Sequence, residues 1–420
     1  MTVAATNSIP SRPVAAHKAA TGARVRDIRL DFFRGLAMFI ILFAHTPGNF
    51  LTSWIPARFG FSDATEIFVF CSGMASAIAF GSTFDRAGVL LGSARVVYRI
   101  WQVYWAHVGL FFATAAMLVF LNETGLGDKN YWGRLNLWML FVEGEKWTNP
   151  NILLSFMTLR WVPNLFDILP MYMVILAMMP FVILLARVHF GLVVAASLLL
   201  WFLGQRAFTE YLGLPYLNFT AEPWVRDDGS QRTWFLNPFG WQLVFFTGFA
   251  FMRGWIPRPP VTPLLFGVAL FIVLANVPFS NIGVRELGFE YARGWRAENR
   301  QLISKVDFGV LRYVQFLALG YVAWVLAGEG GDRLRTNARN IFAQAWRHFL
   351  TIILKVGQQS LAVFVMSIFV ARLNGFLMDV LGRDTGTVLA VNGFGCAVLI
   401  ATAYAAGWFK SQPWRQKVTR

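Results

Sequence analysis

Arg34 and His45 lie eleven residues apart in an otherwise apolar stretch that begins Asp31-Phe-Phe-Arg-Gly-Leu-Ala and ends Phe-Ala-His45-Thr-Pro-Gly-Asn49. At 100° per residue, eleven steps return a helix to nearly the same face, about 16 Å further along its axis. One face then carries a guanidinium near one membrane surface and an imidazole near the other. An ionisable group inside an apolar segment is costly and marks a functional candidate. A neutral imidazole there can serve as general base once its other ring nitrogen has an orienting partner; the alternative is a histidine bonded between helices. A second cluster, Arg95-Val-Val-Tyr98-Arg99, puts two arginines one turn apart on a shared face. Guanidiniums beside a tyrosine suit the phosphates and adenine of a nucleotide-like carrier, or ordinary anchoring at an interface. A coenzyme A thioester has a phosphate-bearing end and a flexible arm comparable in reach with the Arg34 to His45 separation. Acyl transfer across a membrane would then need no moving domain.

The elements that must position these groups are membrane helices. Of 420 residues, 56% are hydrophobic and only 14% charged, with 36 Gly and 41 Phe, which excludes an ordinary soluble enzyme and fits close-packed apolar helices. Apolar runs of spanning length fall at 32–51, 64–82, 100–121, 165–187, 190–208, 238–256, 262–279, 309–327, 357–378 and 387–408. The expectation is an all-α polytopic protein of ten transmembrane helices, with a ten-helix domain over 31–408. Basic tails flank it at 1–30 and 409–420. If the tails, the turns near Arg86, Arg187 and Arg253, and the loop 328–356 share a side, that side holds 21 of the 37 Lys and Arg, counting Arg34, but five of the 22 acids. The positive-inside rule then puts both termini in the cytoplasm. The formal charge of +15 becomes a topology signal and needs no nucleic acid. Cys71 and Cys396 sit in apolar runs and imply no disulfide framework. His107, His189 and His348 lack metal-ligand spacing, so no metal is expected, and neither a P-loop nor a dinucleotide fingerprint is visible.

The first-helix stretch, Arg34 and His45 with ten residues between them, resembles the membrane acyltransferase-3 superfamily, whose hallmark is Arg-x10-His. Four further segments, Asp167-Ile-Leu-Pro-Met-Tyr172, Asn237-Pro-Phe-Gly-Trp-Gln242, Lys305-Val-Asp-Phe-Gly-Val-Leu-Arg312 and Gly357-Gln-Gln-Ser-Leu-Ala-Val-Phe364, are similar to its OpgC branch, the succinyltransferases of osmoregulated periplasmic glucans. The resemblance runs from about Arg26 to Trp408. It implies a multi-pass protein of the bacterial inner membrane, succinyl-CoA as co-substrate with no permanently bound cofactor, and a periplasmic glucan as acceptor. The superfamily's paired arginines are met by Arg95 and Arg99, one residue wider than the usual Arg-x-x-Arg. An O-acetyltransferase of another envelope polysaccharide is the alternative within the class. A transporter or flippase using His45 as a proton relay is the alternative outside it.

A base for a sugar hydroxyl is helped by a carboxylate that orients the imidazole; Asp63, Glu66 and Asp167 lie near the right face, with Asp167 first and Glu66 next. Succinyl carries a free carboxylate, so a cation is expected near the outer half, and Lys305 and Arg312 flank the start of the eighth run. Asn237, Trp241 and Gln242 head the sixth run and are candidates for the acceptor chamber. Asn49 is a candidate oxyanion donor. Trp132, Trp138, Trp147, Trp161, Tyr216, Trp224 and Trp234 suit stacking on glucose rings or an interfacial aromatic belt.

Overall fold

A computed structural model describes residues 27–127, 129–131, 133–135, 137 and 151–415. Most of the N-terminal basic tail, the last five residues, and Trp132, Trp138 and Trp147 lie outside the described residues. The architecture is all-helical. In chain order the α-helices are α1 Arg29–His45, α2 Pro56–Phe59, α3 Ala64–Ser76, α4 Ser82–Glu123, α5 Asn151–Met157, α6 Ile168–Val188, α7 Phe190–Leu203, α8 Arg206–Leu212, α9 Pro238–Arg253, α10 Pro263–Ala275, α11 Asn281–Arg285, α12 Glu290–Glu298, α13 Val310–Ala327, α14 Ile341–Gln358, α15 Ser360–Leu381 and α16 Thr385–Ser411. Among the described residues the sole β pairing is the isolated bridge between Thr220 and Thr233.

Each of the ten apolar runs coincides with helix, but not with ten separate long ones. Among the described residues five stretches are long and apolar enough to cross a membrane, or six if the bent pair α7 and α8 counts as one span. The second and third runs belong to a single 60-residue stretch, Ala64–Glu123, which passes through a π-helical turn at Ala77–Gly81 and kinks at Gly88, whose φ of 77° favours a residue without a side chain. The fifth run bends by 81° between α7 and α8. Helices α1, α9 and α10 have 17, 16 and 13 residues, fewer than the roughly 20 of a full span.

One expectation is corrected. The segment 328–356, read as a basic loop, contains most of α14. Its apolar residues Leu350, Ile353 and Val356 are buried while Arg347 and His348 stay outside. A search for uniformly apolar runs passes over such an amphipathic helix. Helix α14 packs against α1 through glycines. A Cβ on Gly35 would meet the Ile353 carbonyl, and one on Gly357 would meet the Asp31 carbonyl. Helices α3 and α9 approach in the same way, Gly73 on the Phe245 carbonyl and Gly248 on that of Phe70. With α1 also packed on α3 and α15, the helix bearing Arg34 and His45 is held on three sides. Its core residues Met38, Ile41 and Leu42 are fully or nearly fully buried.

Candidate active site

Helix α1 ends at His45 because Pro47 follows, and a proline disfavours helical geometry in the residue before it. Thr46 is accordingly extended, and its hydroxyl donates to the Leu42 carbonyl at 2.8 Å. His45 Nδ1 lies 2.8 Å from the Ile41 carbonyl oxygen. A carbonyl can only accept, so Nδ1 carries the proton and Nε2 keeps its lone pair. The orienting partner of His45 is thus a carbonyl of its own helix, not Asp167 or Glu66. The segment after the helix is fixed by α15 and the residues beyond it. Arg372 donates to the His45 carbonyl, Arg383 donates to the Pro47 carbonyl at 2.8 Å, and Pro47 rests on Gly375.

His45 opens on a cavity of about 810 Å³, shared with Thr65, Asp167, Tyr216, Trp234, Lys305 and Asp307. Asp167 stands at the head of α6 and accepts from the Phe235 backbone amide at 3.3 Å. Lys305 pairs with Asp63 at 2.5 Å, and Arg312 with the fully buried Glu66 at 3.0 Å. Glu66 also accepts from the Asp63 amide at 2.8 Å, closing a capping box at the start of α3. Arg312 further donates to the Phe61 carbonyl and does not line the cavity. Of the two expected acyl-binding cations, therefore, only Lys305 faces it. Glu66, the second candidate carboxylate, is committed to Arg312.

Asn237 and Trp241 do not line the cavity either. Both are fully buried and clamp the loop that does. Trp241 Nε1 donates to the Lys305 carbonyl at 2.9 Å, and the Asn237 amide N–H donates to the Val306 carbonyl at 3.0 Å. Trp201 Nε1 adds a 2.9 Å bond to the Phe308 carbonyl. Ser304, Lys305, Val306 and Asp307 thereby reach the cavity as a fixed edge. Gln242 bonds Ser197 at 2.7 Å, and Asn49 pairs with Asn392 at 2.9 Å, so its amide hydrogens are engaged away from the cavity.

Around these, Arg206 and Arg232 line the cavity without having been singled out in the sequence, beside Tyr216 and Asp307, which were. Tyr216 donates to Asp307 Oδ1 at 2.7 Å, and burial together with the Asp307 charge pushes its phenol up to about 12. Burial likewise lifts the Asp307 carboxyl above its ordinary value. Arg206 lies 4.7 Å over the Tyr216 ring. Arg232 is held by Glu222 at 2.8 Å and Asn164 at 2.7 Å. Among the aromatic candidates Trp234 and Tyr216 line the cavity, whereas Trp161 is fully buried and Trp224 lies outside the lining.

Toward the other end of α1, a second cavity of about 310 Å³ collects Arg34, Arg95, Tyr98 and Arg99, with Ser72, Ser76 and Tyr172. All four residues singled out for a phosphate-bearing ligand meet here. Arg34 donates to the Ser360 hydroxyl, Arg95 to Thr83, and Arg99 to Gln102 at 3.1 Å. None of these partners is acidic, so the cations stay available to an anion. The two cavities nearly meet. One turn of α6 separates Ile168 in the first from Tyr172 in the second, and two turns of α3 separate Thr65 from Ser72. The intervening turns carry Met38 and Phe68, with Phe68 stacked on Phe364 at 5.2 Å.

No curated protein and no solved structure matches the chain. The sequence does match the family described as OpgC protein, over residues 26–411. That match takes in α1, both cavities and every helix around them, and on it the chain belongs to the OpgC family.

Proposed function

We propose that this protein transfers succinyl from cytoplasmic succinyl-CoA to hydroxyl groups of a periplasmic glucan. Both termini would then lie in the cytoplasm and the ten-helix domain would sit in the bacterial inner membrane. The observation that carries the reading is that one face of α1 presents Arg34 to a cation-lined cavity and His45 to a larger polar one a few helical turns away. Arg34, Arg95, Arg99 and Tyr98 hold the phosphates and adenine of the donor. Its arm passes the Met38 and Phe68 level and delivers the thioester beside His45. Nε2 of His45 takes the proton of the sugar hydroxyl, whose oxygen attacks the thioester carbonyl carbon. The tetrahedral intermediate collapses with cleavage of the carbon–sulfur bond, and the imidazolium returns its proton to the thiolate. The products are the sugar ester and free coenzyme A. The Asp63, Glu66, Lys305 and Arg312 cluster is charge-balanced and anchors Lys305 in the wall of the acceptor cavity, with Asp167, Tyr216, Trp234 and Asp307 available to the sugar.

The test is succinyl-CoA consumption and ester formation by purified protein supplied with glucan in detergent. A general base contributes about 10²- to 10⁴-fold, so His45→Ala should cut transfer by at least that lower figure while leaving the protein monodisperse. Activity within tenfold of wild type would remove His45 from the chemistry. Intact donor under all conditions would point to a transporter instead.

A further inference from the structure

Two cations around the His45 cavity have no ion pair among the described residues: Arg206, which is exposed and lies over the Tyr216 ring, and Arg372, which is withdrawn from water. Arg372 stands on α15 and donates to the backbone carbonyl of His45. It is half-buried, and its Nε is sealed from solvent with no acceptor. Among the described residues no carboxylate lies within ion-pair distance of it, whereas Lys305 has Asp63, Arg312 has Glu66, Arg232 has Glu222 and Arg383 has Asp379. A guanidinium withdrawn from water without a counter-ion is costly, and inside a membrane domain it marks a ligand path. Capping the carboxyl end of α1 explains a single donated hydrogen bond. It leaves most of the five N–H donors of the planar fork unused.

Position supplies the rest. Phe364 and Ile368 of α15 line the His45 cavity, and Arg372 follows Ile368 by one turn on the same face, just beyond the lining and against the His45 carbonyl. Resting on the acyl-transfer reading above, we infer that Arg372 receives the free carboxylate of the acyl group and thereby selects a dicarboxylic acyl thioester over acetyl. In succinyl only two methylene groups separate that carboxylate from the thioester carbonyl. A thioester at His45 Nε2 therefore carries its distal carboxylate into the neighbourhood of a residue that already touches the His45 backbone. A carboxylate there meets the bidentate donor geometry that guanidinium offers and ammonium does not.

The experiment compares kcat/KM for succinyl-CoA and acetyl-CoA in wild type, Arg372→Gln and Arg372→Lys, with folding followed by gel filtration and the unfolding midpoint. Loss of the charged contact should lower the succinyl value about 30-fold in Arg372→Gln, which is about 2 kcal/mol. The acetyl value should fall as well, by the share that the bond to the His45 carbonyl contributes, but less, so that the succinyl-to-acetyl ratio drops about tenfold in Arg372→Gln, with Arg372→Lys between. Equal losses for both donors would reduce Arg372 to a helix cap and overturn the inference, as would an unchanged ratio. Should the glutamine variant not fold, the lysine variant decides on the same ratio. Absence of succinyl transfer by the wild type overturns the function proposed above and this inference with it.

Discussion

The Glu66–Arg312 pair offers the sharpest separation of architecture from chemistry. Arg312→Met keeps much of the side-chain volume but strands Glu66, which is 0% exposed, and removes the donor to the Phe61 carbonyl. Removing one partner of a buried ion pair costs about 3–5 kcal/mol, because the other charge is left uncompensated. Adding Glu66→Gln removes that charge, while the amide oxygen can still accept from the Asp63 backbone at the capping box. Replacing both charges is often close to neutral, so the paired variant should recover most of the loss, with a coupling energy of about 2 kcal/mol or more. Unfolding in mixed micelles, followed by tryptophan fluorescence for wild type, both single variants and the pair, measures this directly. The reasoning fails if the two effects add to within about 0.5 kcal/mol, as they do for independent sites. It fails differently if the paired variant, though folded, loses more than about 100-fold in transfer, since Glu66 would then be acting in the chemistry.

Further outcomes follow from the same geometry. Gly375→Ala places a Cβ 2.6 Å from Pro47 Cδ and should displace the segment behind His45, lowering kcat about tenfold or more with little change in donor KM; a normal kcat would show that segment to be slack. Arg95→Ala and Arg99→Ala should each raise the KM for succinyl-CoA about tenfold, the value of one charge-assisted hydrogen bond to phosphate, and a change confined to kcat would remove them from donor binding. Asp307 has a folded-state carboxyl held above its ordinary value by burial. Its contribution to stability is thus complete below the unfolded carboxyl range and is lost as pH rises through the folded value. Asp307→Asn should flatten that part of the curve of unfolding midpoint against pH, and an unaltered curve would contradict it.

Much of this was legible in the sequence where a single helix carried the information. Arg34 and His45 share one face by the helical repeat alone, about 16 Å apart, and the pairing of Arg95 with Arg99 is legible in the same way. The partner of His45 was not legible. An imidazole at the end of a helix can turn back to its own Ile41 carbonyl, and nothing in the order of residues separates that from a bond to a distant acid. Asn237 and Trp241 were noticed but misassigned. Polar and aromatic groups at a helix head look alike whether they face a cavity or clamp neighbouring backbone, and here the Trp241 side chain holds the loop that carries Lys305 while the Asn237 side chain bonds the Gly204 and Leu217 carbonyls. Arg206, Arg232 and Asp307 come from three separate segments and meet only through tertiary packing, and Arg372 reaches His45 from a fourth. Helix α14 escaped because its charged face dilutes the apolar one.

The glycine contacts that lock α1 against α14 give the helix a further property. With no side chain at Gly35 or Gly357, backbone meets backbone and holds α1 in one register against its neighbour, which fixes the span from Arg34 to His45. Under the proposed reaction, a donor is measured against the rise of eleven residues, and a carrier with a shorter arm cannot hold its anionic end and present its thioester at once. On that reading the rise of the helix selects a donor by its length, where a gate or hinge would otherwise be needed.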